Sequence, residues 1–343
     1  MEEIIFSWKT LGQNEITDNL FSIFKENKIP SSIIFHGAKG SGKMALAKDF
    51  SRLINCQNLA EIQNDNCFCI SCKKIYDMTH PDFMILEKSS MCSNNSCCKS
   101  PQNYQIKNCV ISEFILSKSK YNPFMSNWRV VVVNEANNLS KVSAESLLKT
   151  LEEPGSNIII ILLIENLSDL QSTIISRCTT WKMKRVMKKE LNKILLDQHP
   201  DKEKEILEIL SFGSPTLGES LDMLNDSIFF EERQESLKRI IHTIKSPMSE
   251  KLNYSKELSM LFRKDNERVF YELKVWKNIY RQKLSIEKFA KNSESLSLIS
   301  NLDMNDKVKI KKNLENIIEV EKNLRSNIIP SLVLDNLMIN LEA

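Results

Sequence analysis

Apolar and polar positions divide the chain into two stretches of different rhythm. Up to about residue 182, short and almost unbroken apolar runs alternate with amphipathic segments: Ile33-Ile34-Phe35, Phe83 to Leu86, Val130 to Val133 and Ile158 to Ile164. None of the four shows the every-second-residue alternation of a strand with one wet face, so they predict strands buried on both sides, as in a parallel sheet covered by helices. Ser140 to Glu153 carries Leu147, Leu148 and Leu151 on one face and stops at Pro154-Gly155, which predicts a helix. From Val186 the period becomes helical and the polar positions rich in lysine. Leu191, Ile194 and Leu195, then Ile206, Leu207 and Leu210, mark helices before the turn Gly213-Ser214-Pro215. Beyond about residue 246 only helical spacing is found, and the last stripe, Val333, Leu337 and Leu341, follows Pro330, a residue suited to a first helical turn. The fold class expected is α/β, a parallel-sheet domain followed by helices, with no internal repeat.

The turn after the first apolar run carries chemistry. Gly37-Ala38-Lys39-Gly40-Ser41-Gly42-Lys43-Met44 lies between that run and the helical Ala45-Leu46-Ala47-Lys48, the context in which G-x-x-x-x-G-K-[ST] is a phosphate-binding loop. Gly37, Gly40 and Gly42 are the candidates for aiming backbone N–H groups at phosphate, and Lys43 for reaching the β- and γ-phosphates. The next position calls for a hydroxyl on Mg²⁺ and holds Met44, whose thioether is a poor partner for a cation that takes oxygen. The run Val130 to Val133 ends in Asn134-Glu135-Ala136, where a P-loop ATPase places the second carboxylate for the same metal, and an amide stands there instead. The residues alone leave three readings: a glycine turn without a ligand, a working ATPase, and a P-loop that binds nucleotide weakly or not at all.

A chain of 343 residues, 42% hydrophobic and 27% charged, buries more than one domain's core. A formal net charge of +3 is too small to argue for a nucleic-acid surface. The acidic start Met1-Glu2-Glu3 does not read as a signal peptide, and the longest apolar run falls well short of the roughly 20 residues that cross a bilayer, so no membrane partner and a cytoplasmic location are expected. Nine cysteines in such a chain point to metal rather than disulfides. Cys56, Cys67, Cys69 and Cys72 offer four thiolates for a structural, tetrahedral Zn²⁺, although the tight Cys67-x-Cys69 step departs from the usual two-residue knuckle. Cys92, Cys97, Cys98 and Cys109 lie in a polar stretch and read as a second site, exchange ligands or reduced thiols.

Several stretches together resemble a known family. Leu11-Gly12-Gln13 ahead of the P-loop, His80-Pro81-Asp82, Ser146-Leu147-Leu148-Lys149-Thr150-Leu151-Glu152-Glu153-Pro154 and Thr173-Ile174-Ile175-Ser176-Arg177-Cys178 resemble bacterial DNA polymerase III clamp-loader subunits of the AAA+ class, most of all the delta-prime type. The resemblance runs over nearly the whole length. It implies an AAA+ P-loop domain over 1–182 with a zinc module inserted at 56–72, a small helical lid over 183–245 and an all-α collar domain over 246–343 that joins a pentameric ring. It also implies that Arg177, in Ser-Arg-Cys, is an arginine finger acting in trans on a neighbour's ATP. A guanidinium suits that task, with its permanent charge and planar fork of donors. An arginine paired with a carboxylate at a helix end is the plainer alternative.

Departures from the motor subunits of that family, gamma and tau, set the expected activity. Those subunits keep a hydroxyl after the P-loop lysine and Asp-Glu-Ala at the second carboxylate position, a sensor hydroxyl that maps near Ile164-Glu165, and a sensor arginine after the Gly213-Ser214-Pro215 turn. Here the positions hold Met44, Asn134 and no hydroxyl, and no arginine occurs between Arg185 and Arg233. A motor subunit would often also carry a tail, and this sequence stops at Ala343. The expectation is a delta-prime-like stator without ATP hydrolysis of its own and a vestigial P-loop at which ATP and Mg²⁺ binding is in doubt. It would be a subunit of a DNA-directed DNA polymerase, a nucleotidyltransferase, working with gamma/tau and delta subunits to load the sliding clamp onto primed DNA. An active gamma/tau-type motor and a zinc-dependent nucleic-acid-binding protein are the alternatives.

Overall fold

The four apolar runs are strands, β1 (Ser32–His36), β2 (Phe83–Leu86), β3 (Arg129–Val133) and β4 (Ile158–Ile164), and a fifth that the pattern did not announce, β5 (Thr179–Lys182), joins them. The order across the sheet is β2-β3-β4-β1-β5, and every pairing is parallel. The computed structural model describes residues 6–58, 67, 69–93, 105–118, 121–155, 157–211, 215–284, 298–299, 301–302, 306–326 and 328–341. Cys97, Cys98, Gly213, Ser214, the first three residues and Ala343, all used above, lie outside the described residues.

Alternate residues of β1 to β4 enter opposite cores, which is why those runs are apolar without a break. Ile33, Phe35, Val130, Val132, Ile159, Ile161 and Leu163 face α1 (Asn14–Lys25), α2 (Lys43–Asn55) and α3 (Ile70–Tyr76). Ile34, Val131, Val133, Ile158, Ile160, Leu162 and Ile164 face α4 (Asn108–Ile111), α5 (Lys141–Glu152) and α6 (Ser172–Ile175). All seven residues of β4 are buried, at about 1.5–3 kcal/mol for each aliphatic side chain. That burial outweighs any exposed ion pair, typically worth under about 1 kcal/mol. Ser140 caps α5 by accepting the N–H of Ser143 at 3.1 Å, as the break after Leu139 suggests.

His80 and Asp82 form a buried knot ahead of β2. The Asp82 carboxylate accepts the N–H groups of Phe124 (2.7 Å), Met125 (2.8 Å) and Ser126 (3.3 Å) and pairs with Arg129 at 3.4 Å. Arg129 in turn donates to the carbonyls of Tyr121 (3.0 Å) and Asn122 (3.1 Å). His80 accepts the Asp82 N–H on Nδ1 at 3.0 Å and places Nε2 within 3.1 Å of Ser71 Oγ and 2.9 Å of Ser126 Oγ, linking α3 to the same loop. Burial holds the His80 pKa below its ordinary value. The neutral ring is therefore favoured by folding, and its contribution, present above about pH 6.5, is lost as the pH falls below that value through the lower folded pKa. Asp82→Ala would leave Arg129 buried without its carboxylate, and is expected to cost about 3–5 kcal/mol, read as a lower denaturant midpoint at an unchanged slope.

The chain divides into two compact units, Met1–Val186 and Met187–Ala343. The second unit is helical throughout its described residues: α7 (Lys188–Gln198), α8 (Glu203–Ser211), α9 (Leu217–Asn225), α10 (Ser227–Lys245), α11 (Met248–Lys264), α12 (Asn266–Leu284), α13 (Lys307–Arg325) and α14 (Pro330–Ile339). Tyr254 on α11 donates to Glu272 on α12 at 2.7 Å, Trp276 donates to the Tyr254 oxygen at 3.3 Å, and Arg239 on α10 pairs with Glu272 at 3.3 Å, so one buried carboxylate ties three helices. Among the described residues, no helix is long and apolar enough to cross a membrane.

Candidate functional site

Polar residues collect where β1, β3 and β4 end, along the carboxyl edge of the sheet, the usual place for ligands in open parallel sheets. The P-loop follows β1. Gly37 donates to the Ile164 carbonyl at 3.2 Å, and a Cβ there would meet the Met183 carbonyl oxygen at 2.8 Å, so only glycine fits. Gly42, the residue before α2, has φ +92°, a left-handed conformation that turns the loop into the helix. No side chain caps α2, which leaves its first N–H groups facing the loop.

Lys43 is turned onto the loop itself. Its Nζ donates to the carbonyls of Gly37 (2.6 Å) and Ala38 (2.9 Å). Burial lowers its pKa, while the carboxylates of Glu165 and Glu135, after β4 and β3, work against that shift. Met44 is half-buried and packs against the first core cluster. The position that would supply a hydroxyl to Mg²⁺ thus serves the interior. Asn134 donates its amide N–H to Glu87 Oε1 at 3.1 Å. Glu135, in a left-handed conformation with φ +51°, pairs with Lys88 at 2.9 Å and accepts from Asn138 at 3.0 Å. This donor set does not suit a magnesium–nucleotide complex: position 44 brings no oxygen, position 134 brings no carboxylate, and the remaining carboxylate has other partners.

The four cysteines do come together. The Sγ atoms of Cys56, Cys67, Cys69 and Cys72 all lie within 4.8 Å of one another, with Cys56 at 3.5 Å from Cys67 and 3.9 Å from Cys69. A tetrahedron with metal–sulfur bonds of about 2.3 Å has edges of about 3.8 Å, so the cluster fits a metal ion of that kind. Cys56 ends α2, and Cys69 caps α3 by accepting the Cys72 N–H at 3.4 Å. Despite the short Cys67-x-Cys69 step, the knuckle is thus completed by Cys69 and Cys72 on one helical turn. A hydrogen bond from Cys72 holds the Cys56 thiol down to about 6, against the effect of burial, while burial pushes Cys67 up to about 11. Of the second set, Cys92 is buried and Cys109 half-buried. Among the described residues the only grouping with metal-binding geometry is the first.

Arg177 follows α6, and its guanidinium bridges two elements. One end donates to the Thr173 carbonyl at 2.9 Å, and the other pairs with Glu152, the last residue of α5, at 2.6 Å. The side chains are 35% and 53% exposed respectively. Within the single chain, the arginine therefore has the carboxylate partner that its plainer reading foresaw, and it keeps an open side toward solvent. Its neighbour Cys178 is half-buried against the second core, where burial pushes its thiol up to about 12. Glu152 stands in the family-like stretch 146–154 but was given no role there, and Lys88 and Asn138 were not singled out by motif. Two consecutive glutamates at the wrong end of a helix were the available signal for the first.

A family model described as DNA polymerase III, delta subunit matches residues 12–187, just over half of the chain. Among curated relatives, DNA polymerase III subunit delta' of Bacillus subtilis is 23% identical over 98% of this chain and 98% of its own length. DNA polymerase III subunit tau of the same organism is 29% identical over 64% of this chain but only 37% of its own length, so the match spans little more than a third of that relative. A solved structure described as a DNA polymerase III, gamma subunit-related protein from Thermotoga maritima aligns with 94% of this chain and 98% of its own at 15% identity, with a TM-score of 0.45.

Proposed function

This chain belongs to the DNA polymerase III, delta subunit family, and on that footing we propose that it is a delta-prime-like stator of the clamp loader. In this reading it binds gamma/tau and delta subunits in a pentameric ring in the cytoplasm, does not hydrolyse ATP itself, and supplies Arg177 to the ATP of an adjacent motor subunit while the complex loads the sliding clamp onto primed DNA. Residues 1–182 act as the AAA+ P-loop domain, 183–245 as the lid and 246–343 as the collar. Cys56, Cys67, Cys69 and Cys72 hold a structural Zn²⁺, which fastens α3 to the end of the P-loop helix and leaves no coordination position for chemistry.

Met44 is the observation that carries the stator reading. Its half-buried side chain packs against the first core cluster, so a hydroxyl there would exchange that apolar contact for a metal ligand. Alignment along nearly the full length of a delta' relative supports the same assignment. The tau relative is more alike in identity and favours an active motor as the second reading, to which Met44, Asn134 and the partnered Glu135 are opposed. Hydrolysis by the isolated chain separates the two. Turnover of ATP is expected to be no faster than for a Lys43→Ala control, because the magnesium has neither protein anchor. Robust turnover abolished by that substitution would establish a motor; weak nucleotide binding without turnover agrees with a stator.

A further inference from the structure

Glu152 and Glu153 close α5 at the end where aligned peptide dipoles favour cations and disfavour carboxylates. Helix stability does not ask for two glutamates there, and local conflicts of this sort gather at functional positions. The structure gives one of them a task. Glu152 Oε1 holds one nitrogen of Arg177 at 2.6 Å, while another nitrogen of the same guanidinium donates to the Thr173 carbonyl at 2.9 Å and lies 3.4 Å from Ser176 Oγ. The guanidinium is thereby fixed in direction just after a short helix, with its side chain still 35% exposed.

We infer that Glu152 is a positioning carboxylate that latches Arg177 and competes for it with the γ-phosphate of the neighbouring subunit's ATP. This rests on the reading of Arg177 as a finger acting in trans. Carboxylate and phosphate oxygens engage a guanidinium through the same planar donors, so the nitrogen that serves Glu152 is withheld from phosphate. The pair is half-exposed, which keeps it weak enough to release. A multiply charged triphosphate displaces Glu152. When the phosphate departs, the arginine returns to a defined place rather than to a spread of rotamers.

The test uses complexes reconstituted from the full chain and its motor subunits, with ATP as the probe. Glu152→Gln keeps the shape and removes the charge. It is expected to lower the KM for ATP in clamp-loading hydrolysis about two- to fivefold, with kcat moving less than KM. The shift should shrink as salt is raised, because an exposed pair is already screened there. In an Arg177→Ala background the same substitution is expected to change nothing further. A KM that is unchanged or raised by Glu152→Gln, or a shift of equal size without Arg177, overturns the latch and leaves the finger standing. Normal kinetics in the Arg177→Ala complex would instead remove the finger, and the latch with it.

Discussion

Reduced protein is expected to contain one zinc per chain by elemental analysis, and Cys69→Ser to release it with a loss of several kcal/mol of stability. Metal binding and folding are one process when the ligands are apart in the unfolded chain, and autonomous zinc fingers draw about 10–16 kcal/mol from it. The loss here should be smaller, since α2 and the sheet bury their own core. It should still be large, because the ligands are not peripheral to that core. Cys56 terminates the P-loop helix, and Cys72 and Ile75 of α3 are buried in the cluster that also holds Leu53, Phe50 and Phe83. Ser71 of the same helix meets His80 and so reaches the Asp82 knot. Removing the metal should therefore loosen the loop over 121–126 as well as α3, which hydrogen exchange would detect as lost protection at Phe124, Met125 and Ser126. Metal near zero in carefully reduced protein would sink the assignment. Two zincs per chain would place the second on the other cysteine set.

Four strands were legible because burial on both faces writes itself as an apolar run. β5 was not, and the reason is its place. It lies at the edge beyond β1, and Thr179, Thr180 and Lys182 face solvent, so its residues carry the polar character that protects an open sheet edge. The P-loop could be read from spacing alone, since Gly37 answers a steric demand against the Met183 carbonyl and Gly42 a left-handed backbone. Spacing also gathered Cys56, Cys67, Cys69 and Cys72 correctly. What spacing could not give was partnership across the chain. Glu135 reads as the acid left in the Asn134-Glu135-Ala136 motif but is held by Lys88 and Asn138, and Asp82 reads as part of a three-residue signature but works on residues more than 40 positions away. The pairing of Arg177 with Glu152 joins two motifs that each looked complete by itself.

In a reconstituted clamp-loading complex, Arg177→Ala is expected to leave this chain folded and able to join its partners while depressing ATP hydrolysis stimulated by clamp and DNA. The exposed pair with Glu152 is worth too little for its loss to unfold α5 or α6, whereas an arginine finger contributes about 10³ to 10⁵ in rate at the site it serves. In the proposed ring, sites that this chain does not serve are expected to keep turning over. Steady-state hydrolysis should therefore fall only in part, and clamp loading, which needs the sites to act together, should fall further. Arg177→Lys should rescue poorly, because an ammonium restores the charge but not the planar fork that spans Glu152 and the Thr173 carbonyl in the single chain. Thermal melting and complex assembly of each variant, measured alongside hydrolysis, separate the two roles open to this side chain. If Arg177→Ala complexes assemble and load clamps at the normal rate, Arg177 is a structural residue that ties α6 to the end of α5, and the proposed action on a neighbour's ATP is wrong.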